Sequence, residues 1–256
     1  MLDFESRSGA TLVAGGTGGI GSAICRILAA RGSNVAFTYH RNKTKAADLL
    51  ADLGASGVKA HARQLDLSDA DATARAVDET QQAFGGLHTL VYAAGPHVPM
   101  THLSKVTPSE FQHQLDNDAA AFFNLLHPAL PHLRAAGGSI VAVTTAATRR
   151  FPVRDGLSAA PKGAVESLVR AIAAEEGRFG IRANSVGPGM LTDGMAERLI
   201  GSGDLDERAL EVARKNIPLR RFGDAQDIAE AVAFLASDRA DFISGQALDV
   251  DGGYGV

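Results

Sequence analysis

The chain is poor in residues that lend themselves to special covalent or metal chemistry. Among 256 residues there is one cysteine, Cys25, and no tryptophan, and aromatic residues make up 5%. A lone cysteine closes no internal disulfide, so a packed core must hold the fold. Its place inside the first helical pattern marks it as a small buried residue, and the setting as reducing and cytoplasmic. No apolar run reaches the ~18 residues of a membrane-spanning helix. Residues Met1 to Arg7 have neither a basic start nor an apolar stretch, so no signal peptide is expected. The net charge is −4, which supplies no basic surface for nucleic acid. The eight histidines lack paired ligand spacing: His127 and His132 are five apart, off one helical face. No metal site is expected. Repeats, linkers and low-complexity segments are absent as well.

What the chain does have is alternation. Short β-branched runs at Thr11–Ala14, Asn34–Tyr39, Val58–Gln64, Thr89–Tyr92, Ser139–Thr144, Ile181–Val186 and Ala247–Val250 predict strands. Between them, helices are predicted at Gly19–Arg31, Lys43–Leu53, Asp69–Phe84, Pro108–Ala136, Ser158–Phe179 and Asp224–Ala236. The helix from Ser158 carries Val165, Leu168, Val169 and Ile172 on one 3.6-residue face. Strands separated by helices imply an α/β fold: one Rossmann domain over residues 1–256, with a doubly wound, parallel, seven-stranded sheet and helices on both faces. Apolar residues are 45% of the chain, enough for such a core. A doubly wound sheet binds its ligand at the carboxyl ends of its strands, so the residues just after each strand matter most.

The first of these ends is rich in glycine. Gly15, Thr17, Gly19, Ile20 and Gly21 lie between an apolar strand and a helical pattern, the geometry that seats a pyrophosphate at a helix N-terminus. After the second strand come His40, Arg41, Asn42 and Lys43, with no acid for a ribose 2′-hydroxyl. The positive charge suits a 2′-phosphate and favours NADP(H) over NAD(H). Asp66 and Leu67 follow the third strand, where a carboxylate can accept from an adenine amino group; Ser68 or Asp69 better suits the helix cap. Ala93, Ala94 and Gly95 follow the fourth strand and let a cofactor lie against the backbone. Pro188, Gly189 and Thr192 follow the sixth.

Together these residues resemble the short-chain dehydrogenase/reductase family, from about Gly9 to Gly253. The resemblance implies that Thr192 bonds the nicotinamide carboxamide. It implies that residues 190–216 form a substrate lid, and that the helices from Pro108 and Ser158 build a homotetramer or homodimer. It also implies a catalytic tyrosine four residues before a lysine, a serine about 13 residues before the tyrosine, and an asparagine in the preceding long helix. Here Lys162 is in place, but Ser158 occupies the tyrosine position. Thr145 takes the serine position and Asp118 the asparagine position, with Asn117 one residue away.

A phenol near pKa ~10 can be tuned toward working pH, whereas an alkyl hydroxyl is a far weaker acid. Three readings follow. A carbonyl reductase would use another donor: Asp118, a water held by Ser158, Lys162 and Asp118, or His97. A reductase of conjugated C=C bonds, such as enoyl or dienoyl thioesters, would form a less basic enolate; family branches acting on 2,4-dienoyl-CoA are similar in lacking the tyrosine. Arg149, Arg150 and Arg154 would then meet an anionic tail. The alternative is an NADP-binding pseudoenzyme serving as sensor, scaffold or inactive subunit. Met190, Leu191, Met195, Leu199 and Ile200 give the lid a partly apolar character, which points to a partly apolar small-molecule substrate. Tyr254 is not expected to be catalytic. The reading adopted is an NADP(H)-dependent oxidoreductase with Lys162, Ser158, Thr145 and Asp118 as its catalytic set.

Overall fold

A computed structural model describes residues 3–96, 98–193 and 207–256. His97, Met195, Leu199 and Ile200 lie outside the described residues. Strands β1 (Ala10–Ala14), β2 (Asn34–Tyr39), β3 (Ala60–Gln64), β4 (Leu87–Tyr92), β5 (Ser139–Val143), β6 (Arg182–Pro188) and β7 (Ala247–Val250) form one sheet. Their order is β3-β2-β1-β4-β5-β6-β7, and every neighbouring pair is parallel. The order reverses between β1 and β4, which opens a crevice at their carboxyl ends.

Both faces of the central strands are apolar, as a sheet covered on both sides requires. Val13, Phe37, Val91 and Val141 face Ile24 and Leu28 of helix α1 (Gly19–Ala30), Leu49 of α2 (Lys43–Ala55) and the last long helix. Their chain neighbours Leu12, Ala36, Leu90 and Ile140 face the opposite layer. That layer holds Val77 of α3 (Ala70–Phe84), Phe122 and Leu126 of a long helix after β4, and Val165 and Val169 of the helix after β5.

Three elements depart from expectation. The helix expected over Pro108–Ala136 is broken into α4 (Pro108–Leu115) and α5 (Ala121–Ala136) by a single π turn, Asp116–Ala120. The helix expected from Ser158 starts earlier: α6 spans Gly156–Glu176, with Asp155 at its N-cap. A further helix, α7 (Glu207–Asn216), closes the segment expected to be a lid; its charge-rich sequence concealed it. Helix α8 (Ala225–Ala236) opens with a capping box between Asp224 and Asp227 and packs against α1.

Candidate active site

The turn after β1 is built around Gly15. Its φ of +84° suits glycine, and a Cβ there would lie 2.7 Å from the Ala93 carbonyl oxygen. A Cβ at Gly21 would collide with the Gly15 carbonyl, so the turn and α1 touch backbone to backbone. Gly16 N–H donates to Thr38 O (2.9 Å) and Gly18 N–H to Gly15 O (3.0 Å), which fixes the turn. Helix α1 has Gly18 at its N-cap, no side-chain cap and no acid in its first turn. Its leading N–H groups, around Gly19, Ile20 and Gly21, are left for an anion, and Thr17 sits half-buried at the same turn. A pyrophosphate fits this cradle in shape and charge.

The neighbouring strand ends carry the next positions. Asp66 Oδ1 accepts from Ser68 N–H (3.0 Å) and Ser68 Oγ (2.7 Å), and these bonds hold its carboxyl below the usual range. Its other oxygen lies 3.7 Å from His40 Nε2. Asp69, not Asp66, caps α3 through Ala72 N–H. Asn42 caps α2 through Lys45 N–H, which occupies its side-chain oxygen. Arg41 is exposed and makes no ion pair among the described residues. Leu67 is half-buried, and its carbonyl accepts from Asn124.

The structure brings Asp118 to Lys162. Lys162 Nζ donates to Asp118 Oδ1 (2.9 Å) and to Ala94 O (3.2 Å), with both side chains largely buried. A Cβ at Gly95 would lie 3.5 Å from Nζ, in van der Waals contact, so Gly95 borders the lysine at this strand end. Asn117 points elsewhere, donating to His113 O (2.8 Å). The π turn sets this arrangement: one extra residue in the turn directs Asp118 toward α6 and leaves Asn117 half-buried and bonded back to its own helix.

A residue not singled out from the sequence completes the cluster. Tyr92, the last residue of β4, is fully buried, and its hydroxyl donates to Asp118 O (3.0 Å) and Asp118 Oδ1 (3.1 Å). Lys162 Nζ sits 5.1 Å from the centre of its ring. Burial, then the neighbouring Asp118 charge and their hydrogen bond, push the phenol well above its ordinary pKa of 10. Tyr92 therefore stays protonated, as a permanent donor. The available signal was its position: a tyrosine ending a central strand at the ligand edge of the sheet.

On the substrate side, Thr145 Oγ1 accepts from Ala147 N–H (3.2 Å). Its loop is held from below by Glu166, a buried carboxylate accepting from Thr144 Oγ1 (3.0 Å) and Thr148 Oγ1 (2.9 Å). Ser158 is half-buried, and its hydroxyl has no hydrogen-bond partner among the described residues. Two of the three arginines proposed for an anionic tail are engaged internally. Arg149 lies 3.6 Å from Asp249, and Arg150 donates to Tyr254 O (2.8 Å) and stacks on its ring. Arg154 remains exposed. Pro188 ends β6, Gly189 donates to Val250 O (3.0 Å), and Thr192 turns both its N–H and its hydroxyl to Gly223 O. Among the described residues no cluster of three metal-ligating side chains occurs, and no helix is long and apolar enough to cross a membrane.

Comparison with known proteins finds relatives over nearly the whole chain. A family model described as enoyl-(acyl carrier protein) reductase matches residues 14–255. The chain is 35% identical over 246 residues to 3-oxoacyl-(acyl-carrier-protein) reductase FabG of Staphylococcus aureus, covering 94% of this chain and 96% of that protein. It is 34% identical over 248 residues to versicolorin reductase 1 of Aspergillus parasiticus, covering 94% of each. A short chain dehydrogenase from Burkholderia cenocepacia, solved in complex with NADP, superposes with a TM-score of 0.88 at 32% identity, covering 98% of this chain and all of that one.

Proposed function

The chain belongs to the short-chain dehydrogenase/reductase family of NAD(P)H-dependent oxidoreductases, and we propose that it is an NADP(H)-linked reductase of a carbonyl or conjugated C=C substrate with a non-standard proton donor. The observation that carries this reading is the Lys162 ammonium held between Ala94 O and Asp118 Oδ1 beside the glycine turn. A residue anchored on two sides at the ligand edge is placed to hold a nicotinamide ribose and to supply positive charge beside a developing oxyanion. Thr145, on a loop braced by Glu166, holds the substrate oxygen. Asp118 takes two hydrogen bonds on one oxygen, and its role in this reading is to position Lys162. Bound reduced nicotinamide supplies hydride.

Preference for the phosphorylated cofactor rests on Arg41 and on the lack of an acid at the end of β2. Gly15, Thr17, Gly19, Ile20 and Gly21 hold the pyrophosphate; Asp66 and Leu67 flank the adenine; Ala93, Ala94, Gly95, Pro188, Gly189 and Thr192 line the nicotinamide side. Residues 190–216 act as the lid over a partly apolar substrate. The helices α4, α5 and α6 form the faces of a cytoplasmic homotetramer or homodimer, which accounts for the half-exposed Phe123 on α5.

A pseudoenzyme is the competing reading, favoured by one observation: Ser158 stands where the acid belongs, with its hydroxyl unengaged. The test is NADPH oxidation by purified protein against simple ketones, quinones, and enoyl and dienoyl thioesters, with NADPH binding measured in the same sample. Turnover on any class supports the reductase and names the intermediate. Tight binding without turnover supports the pseudoenzyme.

A further inference from the structure

The groups around Lys162 leave the proton unassigned. The Tyr92 hydroxyl is directed at Asp118, and Asp118 Oδ1 already accepts from both Tyr92 and Lys162. Ser158 offers an alkyl hydroxyl, too weak an acid for the task. One carboxyl at the start of α6, the helix that carries Lys162, is uncommitted. Asp155 is the N-cap residue of α6, where an aspartate normally bonds a helix N–H, yet its side chain makes no such bond. Among the described residues it makes no hydrogen bond or ion pair through its carboxyl.

Its placement is informative. Ser158 and Lys162, four residues apart, share one face of α6, and Asp155 stands at the N-cap three residues before Ser158, at the start of that face. Side chains on a helix lean toward its N-terminus, over the preceding turn. A tyrosine at position 158 would therefore lie over the turn that begins at Asp155. Serine leaves that space open, and Asp155 borders it. We propose that Asp155 is the acid of this enzyme, delivering to the substrate oxygen the proton that the family's tyrosine would supply; the assignment rests on the reductase reading above.

Burial favours the neutral carboxyl and raises Asp155 to about 6. Burial is the only cause. The charged groups on the elements around it are Arg154 beside it, Lys162 further along α6, Lys105, Glu110 and His113 on the segments leading into and along α4, and Arg149 and Arg150 in the loop from β5; among the described residues none forms an ion pair with its carboxyl. Leu103 covers the adjacent Gly156, where a Cβ would lie 2.8 Å from its side chain. The step balances. Hydride enters the electrophilic carbon from the reduced cofactor, the π electrons move to oxygen, and the O–H bond of Asp155 breaks as the substrate O–H bond forms. An enol formed from a conjugated substrate then returns to the keto form. Asp155 is half-buried, so its carboxylate regains a proton from solvent.

The test is the pH dependence of NADPH-linked turnover on the same ketone, quinone and thioester panel, with NADPH binding measured separately. Wild-type kcat should fall as pH rises through about 6. Asp155→Asn should lower kcat by roughly 10²-fold or more while leaving NADPH Kd unchanged. Asp155→Ser keeps a helix-capping side chain without an acid and should lose as much. Asp155→Glu should retain part of the activity, and adding Ser158→Tyr to Asp155→Asn should recover turnover and remove the fall near pH 6. Turnover in Asp155→Asn or Asp155→Ser with the wild-type profile overturns the assignment and leaves the reductase reading standing. Wild-type protein that binds NADPH but turns over nothing overturns both.

Discussion

Tyr92→Phe isolates a single hydroxyl. The phenylalanine ring fills the same volume beside Phe122, whose ring centre is 5.1 Å away, so no cavity forms. What is lost is a buried donor bonded to the Asp118 carbonyl and to its carboxylate. Leaving such acceptors without a donor costs about 1–3 kcal/mol. In a protein of this size each kcal/mol lowers Tm by roughly 2–4 °C, so a fall of roughly 2–12 °C is expected. Thermal unfolding of apo protein reads it directly. Because the phenol stays protonated, the difference between wild type and Tyr92→Phe should be constant from pH 6 to pH 9. NADPH affinity should weaken as well, because Lys162 loses the fixed partner that Tyr92 orients. An unchanged Tm and an unchanged NADPH Kd would refute the idea that the phenol holds the Asp118–Lys162 pair.

Other outcomes follow from the same geometry. Lys162→Met should abolish turnover and destabilise the fold by about 3–5 kcal/mol, because it strands the buried Asp118; Lys162→Met with Asp118→Asn should be more stable than Lys162→Met alone by urea unfolding. Gly15→Ala should eliminate NADPH binding by calorimetry, since the Cβ meets the Ala93 carbonyl at a φ of +84°. Arg41→Ala should raise the NADPH Kd roughly tenfold, about 1.4 kcal/mol, and leave NADH unchanged; an equal change for both would remove the case for a 2′-phosphate. Burial lowers His88 from 6.5 to about 4, so the unfolded chain takes up its proton first. Stability should therefore be full above about pH 6.5 and fall by about 3 kcal/mol toward pH 4, a slope that His88→Gln removes in denaturant titrations across that range.

The fold was legible because its signals are local and repeated. Glycines at 15, 19 and 21 between a strand and a helix, and β-branched runs at regular spacing, each pointed to the same sheet. Strand ends moved by only a residue or two, as at β3, which starts at Ala60 rather than Val58. Family resemblance drew attention to Lys162 and Asp118, but not to their contact: it depends on a π turn inside a segment expected to be one continuous helix. Tyr92 escaped because a buried aromatic at a strand end reads as core until its hydroxyl finds a partner. The anionic role expected of Arg149 and Arg150 rested on their charge and on their place in the loop after Thr145, and sequence does not reveal that Asp249 and Tyr254 lie across from them. Helix α7 was hidden because charged residues dominate its composition, although its few apolar residues keep helical spacing.

The π turn at Asp116–Ala120 also separates what this chain needs to fold from what it needs to act. Removing one residue there would let α4 run into α5 as an uninterrupted α-helix, with the apolar faces on either side still in register. The layer beneath Phe122 and Leu126 would be preserved, while Asp118 would rotate away from Lys162 and the Tyr92 hydroxyl would lose its acceptor. Such a shortened chain should keep its fold and lose the Asp118–Lys162 contact, so the length of this single turn, more than the identity of any core residue, is what the contact depends on.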